Sequence, residues 1–211
     1  YFTDPRYGNR EGLEIVDTDG KPVEGVYRID PNGTITRIIT HEVDRPNGII
    51  VSHDERYLFV ADNHNNTVGA ARKLWRFDLG EDGNVDLDTR YLVYDWAGSR
   101  GPDGLAQDTE GRLYVAAGLH QANPPAEISE QPTSGIYVIT PEGKLLDYVH
   151  IPTDEVTNCT FGGDDWKTLY ITAGGHLWSI RTMMPGVSAL SPAEKPTFLY
   201  SRHFNADGEK R

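Results

Sequence analysis

The chain has 211 residues, 37% hydrophobic and 10% aromatic, which is enough for a packed core in one domain. Its 32 acidic residues outweigh 20 basic ones, the formal net charge is −12, and no basic stripe breaks the pattern, so nucleic acid is not expected as a partner. No apolar run approaches the roughly 20 residues that span a bilayer, so no membrane partner is expected either. The single cysteine, Cys159, rules out an internal disulfide and paired-thiol metal sites.

In chain order, "YFTDP" (1–5) reads as a strand met in its middle, followed by a polar segment, "DPRYGNRE" (4–11). Short apolar strands are then predicted at 48–52, 57–62, 73–79 and 90–96, with charged turns at 53–56 and 80–84. A second set follows at 105–108, 113–117, 135–140 and 145–151. The organising feature is a repeat. "RPNGIIVSHDERYLFVADN" (45–63), "GPDGLAQDTEGRLYVAAG" (101–118) and "TNCTFGGDDWKTLYITAG" (157–174) place Asn47, Asp103 and Asn158 in one register, 56 and then 55 residues apart. Four antiparallel strands per unit of this length predict the blades of a β-propeller, an all-β architecture. "YFTDP" aligns with the second strand of the later units, so the chain is expected to begin partway through a blade.

Alternating strand directions put the segments leading into each first strand on the same face as the long loops at 63–73 and 118–134. Asn47, Asp103 and Asn158 are therefore expected at the mouth of the central channel. Hard oxygen ligands converging on one axis suit Ca²⁺, or Mg²⁺ and Mn²⁺ with more water. A lone Pro-Asn-Gly would merely be a turn; three in register point to metal or ligand binding. Asn63, His64 and His120 lie on the loops of that face, where they could hydrogen-bond a polyhydroxylated substrate. The other histidines share no register and read as structural or surface residues. Cys159 opens an inner strand and reads as a buried, inert thiol. "DGNVDLD" (82–88) imitates a calcium loop with its glycine misplaced and Val93 where a bidentate glutamate belongs, so it reads as a plain turn.

"YFTDPRYG", "RPNGIIVS", "LFVADN" and the second and third repeats resemble the gluconolactonase, regucalcin (senescence marker protein) and luciferin-regenerating-enzyme family, most of all its bacterial gluconolactonases. The likeness covers about residues 1–185. It implies a six-bladed β-propeller with one divalent cation, Ca²⁺ or Zn²⁺, at the top of the channel, and hydrolysis of a sugar lactone. Carried over by motif, Asn47 and Asp103 are metal ligands, Asp103 is the candidate general base, and Asn158 matches an asparagine that only some members have. The family's ligating glutamate and the asparagine of an "ND" motif have no counterpart here. At about 55 residues per unit the chain is expected to supply just under four blades over 1–186, with 187–211 as a tail holding at most one strand. Alone, it is expected to be neither a closed ring nor a competent lactonase. The alternative reading is a non-catalytic propeller that binds a ligand or a protein on the same face.

Overall fold

A computed structural model describes residues 1–7, 16, 18–21 and 24–187. Among them there are strands and turns and no helix. The strands are β1 (Phe2–Asp4), β2 (Gly25–Ile29), β3 (Ile35–Ile39), β4 (Pro46–Val51), β5 (Tyr57–Asn63), β6 (Arg72–Leu79) and β7 (Val85–Asp95). They continue with β8 (Leu105–Gln107), β9 (Leu113–Ala117), β10 (Gly135–Ile139), β11 (Leu145–His150), β12 (Val156–Gly162), β13 (Thr168–Ala173) and β14 (His176–Arg181). They form four antiparallel sheets in plain sequence order: β1-β2-β3, β4-β5-β6-β7, β8-β9-β10-β11 and β12-β13-β14. The two middle sheets have the four strands the repeat predicts. A fourth strand for the last sheet would fall within 188–211, outside the described residues.

The apolar alternation shows how the sheets are stacked. In β5, Leu58 and Val60 face the first sheet, joining Val26, Ile39 and Val43, while Phe59 faces the third. In β9, Leu113, Val115 and Ala117 pack back on Phe59, Leu74 and Trp96, and Tyr114 and Ala116 pack forward on Cys159, Phe161, Leu169 and Ile171. Strands covered on both faces need apolar residues at every position, which is why "LFVA" and "LYVAA" run unbroken. Each such Leu or Phe contributes roughly 1.5–3 kcal/mol on burial. The outer strands β7 and β11 are mostly solvated.

The segment expected to be a plain turn at 82–88 is a turn and then a strand. Asp82 accepts hydrogen bonds from the Asn84 backbone (3.0 Å) and side chain (2.6 Å), and β7 begins at Val85, five residues before the expected start. Register shifts at Leu74/Trp75 and Arg76/Asp78 absorb the extra residues. Cys159 is buried as expected, its Sγ 3.2 Å from the Tyr114 carbonyl, and burial pushes the thiol up to about 12.

Candidate metal and substrate site

The first strands of successive sheets, β4, β8 and β12, lie side by side, and the Asx-Gly steps are the points of contact. The Gly48 Cα lies so close to the Asp103 carbonyl that an added Cβ would sit 2.1 Å from it. One repeat later the Gly104 Cα lies against the Asn158 side chain, whose Oδ1 would meet an added Cβ at 2.1 Å, and Gly104 N–H donates to the Thr157 carbonyl at 2.8 Å. A register shift in β4 between Pro46 and Ile49 leaves Asn47 outside the ladder, and one in β12 between Val156 and Asn158 leaves out Thr157, just before Asn158 resumes pairing with Thr172. Asn47, Asp103 and Asn158 therefore line one row across three neighbouring strands.

Within that row Asn47 and Asp103 interact directly. The Asn47 side chain lies beside the Asp103 carboxylate and favours its ionised form. Burial pushes the Asp103 pKa up to about 6, against the opposing pull of the Asn47 amide and of the Arg100 charge. Asn47 also donates from Nδ2 to the Tyr7 hydroxyl at 2.6 Å, and its carbonyl accepts from Thr3 Oγ1 at 2.6 Å. The Tyr7 pKa is raised well above the usual tyrosine value, first by burial and then by the Asp103 charge. Asn158 is exposed, and its Oδ1 accepts from Cys159 N–H at 2.8 Å.

The loop residues singled out from sequence are held by other partners. Asn63 is buried at the end of β5, its backbone N–H bonded to the Arg45 carbonyl at 3.0 Å and its Oδ1 facing Gly101. His64 Nδ1 meets Asp44 Oδ2 at 2.5 Å, and its Nε2 lies 3.2 Å from Thr67 Oγ1. His120 Nε2 lies 2.6 Å from the Ile151 carbonyl, which makes that nitrogen the donor, and Nδ1 lies 2.8 Å from Thr133 Oγ1. None of the hydrogen bonds of these three residues reaches Asn47, Asp103 or Asn158.

Sequence reasoning missed a set of arginines beneath the row. Arg45 is wholly buried, pairs with Glu24 at 3.3 Å and lies over the Tyr7 ring at 5.1 Å. Arg100 forks onto buried Glu127 at 2.8 and 3.1 Å, with Asn123 adding a 3.0 Å bond to the same carboxylate. Arg72 donates to the carbonyls of His64, Ser99 and Ala126, tying both long loops to one guanidinium. The signal was present: an arginine stands just upstream of both Pro-Asx-Gly steps, as "RPNG" and "RGPDG".

Chemically the row offers one carboxylate and two amide oxygens, all hard donors suited to Ca²⁺, Mg²⁺ or Mn²⁺. Asp103 fits a cation, because a half-buried carboxylate whose pKa is raised gains from any positive charge brought to it. Among the described residues no three His, Cys, Asp or Glu side chains cluster to hold a metal.

Residues 1–175 match the SMP-30/gluconolactonase/LRE-like region. The chain belongs to this family. It is 30% identical over 188 residues to a gluconolactonase of Zymomonas mobilis, covering 86% of this chain and 47% of that protein. It is 31% identical over 149 residues to regucalcin of Danio rerio, covering 70% and 44%. Among solved structures it is similar to XC5397, a gluconolactonase of Xanthomonas campestris, with 27% identity, a TM-score of 0.61, and coverage of 88% of this chain and 52% of that one. The chain spans about half the length of the curated relatives it matches.

Proposed function

We propose that the protein to which this chain belongs is a metal-dependent hydrolase of sugar lactones, built as a six-bladed β-propeller. Residues 1–186 would supply just under four of its blades and 187–211 a tail. The observation that carries this reading is the placing of Asn47 beside a half-buried Asp103 where neighbouring inner strands begin, with Asn158 one register further on against Gly104. The gluconolactonases among the relatives support the substrate class.

Asn47, Asp103 and Asn158 would hold a divalent cation, Ca²⁺ first among the candidates and Zn²⁺, Mg²⁺ or Mn²⁺ after it. When bound, such a cation polarises the lactone carbonyl and stabilises charge developing on its oxygen. Asp103 accepts a proton from the attacking water, a step worth about 10²–10⁴-fold in general-base catalysis. Arg100, fixed by its fork onto Glu127, favours the ionised form of Asp103. Asn63, from its buried place at the end of β5, and His64 and His120 would sit on the segments that frame this face. There they would shape the rim around the sugar hydroxyls, with His64 and His120 held in place by Asp44, Thr133 and Ile151.

The test is hydrolysis of gluconolactone to gluconate by the intact protein, followed by proton release before and after removal of divalent cations with a chelator. Turnover should vanish with the chelator and return on adding Ca²⁺. Chelator-resistant turnover would remove the cation from the reading. Absence of turnover under all cations, with gluconate still bound, would favour a non-catalytic sugar-binding propeller.

A further inference from the structure

Tyr7 stands at this centre without a role. It follows β1, and its hydroxyl reaches across to the second sheet, where Asn47 Nδ2 donates to it at 2.6 Å. The ring is anchored by the Arg45 guanidinium, 5.1 Å from its centroid, and Arg45 is fixed in turn by its buried pairing with Glu24. Despite this anchoring Tyr7 remains 44% exposed. A side chain held on one face and open on the other is built to meet something.

The hydrogen-bond arithmetic says what it can offer. An amide nitrogen has only protons to give, so the Tyr7 oxygen is the acceptor in its contact with Asn47, and the phenolic proton is unspent there. Among the described residues no hydrogen bond uses the Tyr7 hydroxyl as its donor. We propose that Tyr7 donates it to an oxygen of the sugar lactone bound at the Asn47–Asp103 centre, which makes Tyr7 a substrate-binding residue. This inference rests on the lactonase reading above. The donor is well placed for the task, since a neutral phenol at the edge of an acidic centre can approach a neutral, oxygen-rich ligand without adding charge. Its partner on the other side, Asn47, is itself a candidate ligand of the cation, so substrate and cation would be set against each other through one short contact.

The experiment is Tyr7→Phe in the intact protein, which keeps the ring beneath Arg45 and removes only the hydroxyl. Two quantities are read: KM and kcat for gluconolactone, and the Kd of gluconate by calorimetry, which does not depend on turnover. Loss of one neutral hydrogen bond to ligand corresponds to about a tenfold weakening. KM should therefore rise and gluconate affinity fall by about tenfold, with the unfolding midpoint unchanged. Unchanged gluconate affinity in Tyr7→Phe would overturn the assignment, whatever happens to kcat or to stability, because the hydroxyl would then be only a clamp on Asn47. Wild-type protein that neither hydrolyses gluconolactone nor binds gluconate would overturn the lactonase reading itself, and Tyr7's role with it.

Discussion

Asp103 must carry a charge while half-buried, and its surroundings show how far the fold compensates. Burial alone drives its pKa up, and the Asn47 amide and the Arg100 guanidinium pull it back only to about 6. Replacing it by asparagine keeps the shape and removes the charge. Asp103→Asn should therefore fold normally, bind cation more weakly, and turn over lactone at least about 10²-fold more slowly at saturating metal, the lower end of the general-base range. Wild-type turnover in that variant, measured by steady-state kinetics, would end its role as base. Asp103 and Asn47 were legible in the sequence because their motifs repeat at a fixed distance. Tyr7 was not, because its contact spans 40 residues and has no repeated counterpart. His64 and His120 were legible only as polar loop residues. What their nitrogens touch depends on Asp44, Thr133 and the Ile151 carbonyl, which the fold brings to them from elsewhere in the chain.

At the scale of the strand, the motif Pro-Asx-Gly is explained by what lies beside its glycine. Gly48 and Gly104 occupy equivalent positions in β4 and just before β8, but they face different obstacles. An added Cβ at Gly48 would meet the Asp103 carbonyl at 2.1 Å, a backbone atom that moves only if β8 moves. At Gly104 the same addition would meet the amide of Asn158, an exposed side chain that can swing aside. Forced overpacking costs typically 1–3 kcal/mol. Gly48→Ala should thus lose at least about 2 kcal/mol of stability. Gly104→Ala should lose less than about 1 kcal/mol while displacing Asn158. Urea unfolding of both variants checks the contrast, and equal losses would mean that the strands adjust more freely than this spacing implies. The strand order of the two middle sheets was legible because their inner strands are apolar on both faces. The start of β7 was not. "VDLDT" has the composition of a solvated edge, and only pairing with Asp78 and Leu79 reveals it as strand.

Across the whole molecule, the stacking of four sheets leaves the outermost two unlike the others. The second and third sheets are covered on both faces by neighbouring apolar clusters. On the first sheet Ile29 and Ile35 are more than half exposed, and on and after the last strand Leu177 and Met183 are 71% and 90% exposed. Exposed apolar side chains gathered on sheets are sites of association. The edge strand β14 adds unpaired backbone groups among the described residues, a second invitation to pairing. Opposing this is the net charge of −12, which makes like chains repel at low ionic strength. The two effects respond oppositely to salt. Repulsion is screened over about 10 Å at 0.1 M and over about 3 Å at 1 M, whereas burial of Leu177 and Ile29 is not weakened by screening. The 211-residue chain should therefore self-associate, and more strongly as salt rises from about 0.05 to 0.5 M. Leu177→Lys should reduce association, because it places a charge on the face that would be buried. Sedimentation velocity at two salt concentrations reads both effects. A monodisperse monomer at high salt would show that these faces do not drive assembly, and association that weakens with salt would assign it to ion pairs instead.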